Sequence, residues 1–194
     1  MSEPLEPAIL KPQHLILRHR KPRSSFAIQS LSEIPVVSTE AANTDRATAN
    51  KATTTVALDY GEITLDGVEK VRLYGVPGQR RFDYMWRILE ERALGLILLI
   101  NNDGQDPVGD MLELIKDFSA LQERGGVVIG VTRSDVQEYP HTSQYVDSIR
   151  EVYPHITAPV FSVDARNRDH MLITLTALLF NIQAQSEAPM EDVA

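Results

Sequence analysis

The stretch LGLILLINNDGQDPVGDMLELIKDFSALQERGGVVIGVT, residues 94–132, decides the fold. It begins with the apolar run Leu94–Asn101 and ends with the apolar run Val127–Thr132, each as long as a buried strand. Between them Pro107–Arg124 has helical spacing, and Pro107 suits a first helical turn because its missing N–H is not needed there. This order predicts two parallel strands joined by a crossover helix.

The same alternation extends in both directions along the chain. Strands are predicted at His14–Arg18 and Pro159–Val163, and the runs Thr55–Leu65 and Val68–Val76 flank Asp66-Gly67, a dipeptide that favours a hairpin turn. We therefore expect an α/β fold whose six-stranded, mostly parallel sheet has one antiparallel hairpin pair and helices on both faces. The remaining helices are predicted at Ser25–Ser32, Phe82–Ala93, Ser143–Tyr153 and Asn167–Ala184.

Length and local composition divide the chain into one domain and two short ends. The 194 residues suffice for one sizeable core. Residues 1–13 hold three prolines and little apolar periodicity, which predicts a flexible leader. Residues 186–194 are small and acidic, which predicts a flexible tail, and residues 14–185 form the predicted domain.

Charge and residue usage exclude several classes of protein. The formal net charge is −8, which argues against nucleic acid as a partner. Because the chain has no cysteine, it has no disulfide framework and no thiolate metal site. This absence fits a protein of a reducing compartment. No apolar run approaches the roughly 20 residues of a membrane span, and the N-terminus lacks a secretory signal. We expect a cytoplasmic protein.

The loop after the predicted hairpin, Gly75-Val-Pro-Gly-Gln79, is the first candidate site. Gly78 would let a backbone N–H approach a terminal phosphate, because no side chain blocks it. Gln79 is the candidate catalytic residue, since an amide there could orient a water toward that phosphate. The alternative is an ordinary strand-to-helix turn.

This loop resembles the second switch of Ras-like GTPases, in the MglA-type bacterial branch where Pro-Gly-Gln follows the strand. The resemblance covers roughly residues 14–184 and implies a three-layer P-loop NTPase or Ras-like G domain. It implies that Thr55 supplies a hydroxyl to magnesium, although a threonine run before a strand is also typical of strand propensity.

The resemblance extends to two later loops. Thr132, Arg133 and Asp135 match the loop that reads guanine, with Thr132 and Arg133 where that pattern prefers Asn and Lys. Asp135 would accept hydrogen bonds from the base, and Arg133 would stack on it. The alternative is a helix N-cap at Ser134 or Asp135. The last loop of the pattern, which also contacts the base, corresponds to Asp164, Ala165 and Arg166.

The phosphate-binding loop of that family is missing. The interval after the first strand, residues 18–26, reads RHRKPRSSF, and no glycine precedes Gly61. Ser24 or Ser25 could imitate the hydroxyl that contacts phosphate and magnesium. Either the protein keeps the fold as an interaction surface, or a local frame error has replaced the loop; the residues fit both. The cations of this interval predict a solvated patch or, alternatively, a contact for an acidic partner, phosphate or anionic lipid; they are Arg18, Arg20, Lys21 and Arg23.

The resemblance implies a regulatory protein of the small GTPase family, a signalling, polarity or motility switch with impaired nucleotide binding. GTP or GDP and Mg²⁺ would be its cofactors where binding survives, so enzyme activity is left open. The alternatives are a slow, active GTPase and a nucleotide-independent structural subunit. The partner would be an effector or a GAP-like protein, and Tyr84 and Trp86 would meet it, unless they anchor their helix to the sheet.

Overall fold

The part of the chain that the structure describes forms a mixed α/β fold. The computed structural model describes residues 13–19, 24–38, 58–65, 67, 69–77, 83–118, 121 and 126–187. Within these ranges, no helix combines the length and the apolar character of a membrane span. The elements are β1 (Gln13–His19), α1 (Ser24–Leu31), β2 (Val37–Ser38), β3 (Asp59–Leu65), β4 (Glu69–Pro77), α2 (Asp83–Glu90), β5 (Ala93–Asn101), α3 (Pro107–Asp117), β6 (Val127–Thr132), α4 (Thr142–Val152), β7 (Val160–Ser162) and α5 (Arg168–Glu187).

In the described part of the chain the sheet has seven strands, in the order β2-β3-β4-β1-β5-β6-β7. All neighbours from β4 to β7 pair in parallel, whereas β3 is antiparallel to both β4 and β2. The predicted mostly parallel sheet with an antiparallel hairpin is confirmed, and Gly67 has the positive φ of 71° that its turn requires. The predicted count of six strands is wrong because β2 has two residues, too few to produce a periodic signal.

Two helices are shorter than the sequence patterns predicted. The third helix ends at Asp117 rather than Arg124, since the N–H of Phe118 turns back to the carbonyl of Ile115. The second helix ends at Glu90 because β5 already begins at Ala93. The predicted strand Thr55–Leu65 corresponds to β3, and its predicted start at Thr55 lies outside the described residues.

Helices cover both faces of the sheet, as predicted. The core on one face joins α1 and α5 to the sheet through Ile28, Leu31 and Leu175. The core on the other face joins α3 and α4 to it through Phe118 and Tyr145. The central strand β5 contributes to both cores, which explains its unbroken apolar run.

Arg18 belongs to the core and not to a surface patch. Alternation along β1 places it on the same face as Ile16, and the residue is 1% exposed. Its Nη2 lies 3.5 Å from Asp117 Oδ2, and its guanidinium carbon lies 4.9 Å from the centre of the Phe118 ring. The predicted solvated patch is therefore wrong for Arg18. Its other members, Arg20, Lys21 and Arg23, lie outside the described residues.

Gly61 is expected to tolerate no larger residue, because α1 passes directly over it. A Cβ atom there would lie 2.7 Å from Ile28 Cγ2 and 2.9 Å from Ser32 Cβ. We expect Gly61→Ala to lower the free energy of unfolding by about 1–3 kcal/mol in urea titrations. Thr176→Ala, an exposed change on α5, should stay within about 0.5 kcal/mol of the wild type. Equal stabilities of the two variants would contradict this packing argument.

Candidate functional site

A cavity of about 540 Å³ opens at the carboxyl ends of β6 and β7. The loops that follow these two strands form most of its wall, and the first turns of α1 and α5 contribute the rest. Open parallel sheets bind ligands at this edge, and the volume lies within the usual range for small-molecule sites. The lining residues are Phe26, Thr132, Arg133, Ser134, Asp135, Val136, Ser162, Val163, Asp164, Ala165, Arg166 and His170.

The cavity brings together the six candidates predicted in the two later loops, whose roles stay predictions. Sequence reasoning missed Phe26 and His170, which also line it. Both lie in the first turn of a helix that follows a strand of the sheet, and that position is the signal that could have found them. Phe26 supplies an apolar wall, and the residue is 46% exposed.

The loop after β6 is a closed turn and not a helix start. Thr132 Oγ1 donates to Asn101 Oδ1 at 2.9 Å, which fixes the end of the strand. The carbonyl of Arg133 then accepts the N–H groups of Val136 and Gln137. The alternative of a helix N-cap at Ser134 or Asp135 is wrong, because the next helix begins only at Thr142.

The loop after β7 is held by an ion pair within three residues. Arg166 Nη2 lies 2.7 Å from Asp164 Oδ2, while its main-chain N–H and its Nε both donate to Asp164 Oδ1 at 2.9 Å. These hydrogen bonds lower the pKa of Asp164 to about 2, so the carboxylate is ionised at neutral pH. The N–H of Asp164 donates to His170 Nδ1 at 3.1 Å, which attaches the loop to α5.

Buried polar side chains connect the loop after β5 to α4. Asn102 is 1% exposed; its Nδ2 donates to the carbonyl of Gln137, and its Oδ1 accepts the hydroxyl of Tyr145 at 2.6 Å. Burial, and then the charge of Asp106, raise the pKa of Tyr145 to about 12. This network holds Gln137 at the end of the turn after β6, and no sequence pattern predicted it.

A second polar cluster lies at the same edge of the sheet, near the start of α1. Asp59 accepts the hydroxyl of Ser25 and the hydroxyl of Ser38, both at 2.6 Å. Asp59 begins β3 and pairs with Gly75 of β4. Of this cluster only Ser25 was predicted. Among the described residues, no group of three or more His, Cys, Asp or Glu side chains could hold a metal ion by itself.

Several predicted residues lie outside the described part of the chain. Thr55, Gly78 and Gln79 are among them, so their predicted roles stay predictions. Ser24 begins α1, and Tyr84 and Trp86 belong to α2, but their side chains are not described.

Residues 34–178 match the sequence profile of a protein family described as "conserved hypothetical ATP binding protein". The chain belongs to this family. No curated protein matches the chain. The matched segment begins after α1 and contains the turn after β6 and the loop after β7.

The family overturns the resemblance to Ras-like GTPases of the MglA-type branch, and with it the predicted regulatory GTPase function. The alternatives of a slow GTPase and of a nucleotide-independent structural subunit gain no support either. The resemblance depended on short loop motifs at strand ends. Many α/β proteins place polar residues there, because ligand-binding loops follow the strands.

Proposed function

We propose that this protein binds adenine nucleotides, with the base in the cavity between the ends of β6 and β7. The observation that carries the proposal is the cavity itself, where Asp135, Phe26 and Arg166 line one space. The family description supports ATP as the ligand to test first. A seven-stranded, mostly parallel sheet is also compatible with a P-loop NTPase-like domain, for which residues 14–185 remain our proposed boundaries.

The cavity offers the groups that an adenine ring requires. A carboxylate at Asp135 can accept a hydrogen bond from the exocyclic amine, which is the donor on that edge of the base. Phe26 offers an aromatic surface, and the planar guanidinium of Arg166 offers a second face on which a base can stack. Asp164 pairs with that guanidinium at 2.7 Å and so fixes its orientation at the mouth of the cavity.

A magnesium ion fits the cluster of Ser25 and Asp59. Hydroxyl and carboxylate oxygens are ligands that this hard cation prefers, and it typically binds to one or two protein groups together with phosphate oxygens. When bound, the ion would neutralise phosphate charge. Asp59 would hold it, and Ser25, in the first turn of α1, would contribute the second oxygen.

The expected result is that Asp135→Ala weakens ATP binding about tenfold, because a hydrogen bond from the base to a charged acceptor is lost. The measurement is isothermal titration with ATP in Mg²⁺, repeated with adenosine to isolate the base. Glu138→Ala is the matched control, since it removes an exposed carboxylate three residues further on that does not line the cavity.

The adenosine titration separates the base cavity from the phosphate end. Equal losses for ATP and adenosine in Asp135→Ala would support a contact with the base. If wild-type protein binds neither ligand at millimolar concentration, the proposal is wrong. If Glu138→Ala weakens ATP binding as much as Asp135→Ala, the loss of affinity comes from the changed net charge, and the proposed contact between Asp135 and the base is wrong.

A further inference from the structure

We infer that Arg133 is a positioning residue, which holds the turn after β6 in its ligand-binding shape through an ion pair with Asp103. The inference rests on the proposed function, since the turn carries Asp135 into the cavity. It gives Arg133 a role different from the predicted stacking on a base.

The backbone of Arg133 gives the first indication. Its φ is 64°, in the left-handed region that residues with a side chain adopt rarely. In that conformation its carbonyl accepts the N–H groups of Val136 at 3.0 Å and Gln137 at 3.1 Å, and these two bonds close the turn. Relaxation of Arg133 to an ordinary conformation would therefore open the turn and move Asp135. A strained residue persists only where its surroundings hold it.

The side chain of Arg133 supplies such a restraint. Its Nε donates to Asp103 Oδ2 at 2.6 Å, and both side chains are about one-third exposed or less. Asp103 lies in the loop between β5 and α3 and does not line the cavity. The ion pair thus ties the turn to a neighbouring loop, and the guanidinium is directed to Asp103.

The loop between β5 and α3 is also hydrogen-bonded to both ends of the turn. The N–H of Asn102 donates to the carbonyl of Thr132 at 2.9 Å, and the buried side chain of Asn102 bonds to the carbonyl of Gln137. These contacts hold the two ends of the turn, residues 132 and 137. The Arg133–Asp103 pair holds its middle, where the strained φ lies.

The test combines Asp103→Asn, Arg133→Ala and the double variant. Each single change should weaken adenosine binding about tenfold, because one charge-assisted hydrogen bond restrains the turn. The double variant should bind no more weakly than either single one, since both changes remove the same interaction. Binding of inorganic triphosphate, which has no base, should not change. Lys70→Gln is the control, since it removes a cation from an exposed pair with Glu62 on the distant hairpin.

Hydrogen–deuterium exchange of the nucleotide-free protein tests the restraint separately. Exchange at the amides of Val136 and Gln137 should be about tenfold faster in Asp103→Asn than in wild type. Faster exchange in a protein that binds no adenosine would leave the restraint standing and overturn only the proposed function. Unchanged exchange at these two amides would overturn the positioning role. Equal losses of affinity for adenosine and for inorganic triphosphate would overturn it too.

Discussion

The Asn102→Ala variant is expected to lose about 2–4 kcal/mol of unfolding free energy. The side chain of Asn102 satisfies two groups at once, the carbonyl of Gln137 and the buried hydroxyl of Tyr145, each at 2.6 Å. Truncation leaves both without this partner, and each buried polar group that loses its hydrogen bond costs about 1–3 kcal/mol. Urea unfolding followed by circular dichroism measures the loss.

Two further variants separate the hydrogen bonds from the loss of bulk. Tyr145→Phe removes only the hydroxyl and should cost about 1–2 kcal/mol. Gln137→Ala keeps the main-chain acceptor and removes only an exposed side chain, so its unfolding free energy should stay within about 0.5 kcal/mol of wild type. An Asn102→Ala variant as stable as Gln137→Ala would contradict the role of the network.

The difference in unfolding free energy between wild type and Tyr145→Phe should decrease at high pH. Burial raises the pKa of Tyr145 from 10.0 to about 12 in the folded protein. The folded state therefore favours the neutral phenol, and the stability that this hydroxyl contributes is fully present below pH 10. It is lost as the pH rises from about 10 to about 12. The stability difference between wild type and Tyr145→Phe should shrink across that interval.

The fold was predictable where one physical signal dominated. The strand Val127–Thr132 has the predicted bounds because it is buried on both faces and its apolar run is unbroken. The two-residue strand β2 has no such run, and both its residues are exposed. Arg18 shows a different limit. Charge near the end of a strand indicates exposure, but the alternation of β1 directs this side chain into the core.

The candidate site was predictable only in part, for a related reason. Residues at the carboxyl ends of strands are candidates by position alone, and the cavity brings six of them together. Asp59 could not be found in this way, because its place at the site follows from cross-strand pairing with Gly75 and from contact with Ser25. The GTPase interpretation failed because loop motifs of three or four residues do not specify a family.

Asp59→Asn is expected to remove the dependence of ATP binding on magnesium. The substitution keeps the size of the side chain but removes the charge. Loss of a residue that only supports a metal ligand already costs about 10- to 100-fold in metal affinity, so loss of the ligand's charge should cost at least about tenfold. The quantity to measure is the ratio of the ATP dissociation constants in EDTA and in Mg²⁺. That ratio should exceed about ten in wild type and fall close to one in Asp59→Asn.

Ser38→Ala is the matched control, because it removes the second hydroxyl from Asp59 and leaves the carboxylate and Ser25 in place. Its ratio should remain that of the wild type, even though Asp59 loses one of two donors at 2.6 Å. The nucleotide-free stability of both variants shows whether the cluster also supports the start of β3. A ratio in Asp59→Asn equal to that of Ser38→Ala would place the metal elsewhere. If only Asp59→Asn loses the magnesium dependence, a carboxylate on the antiparallel strand β3 serves the phosphate end of the site. The base end of the same site then lies between β6 and β7.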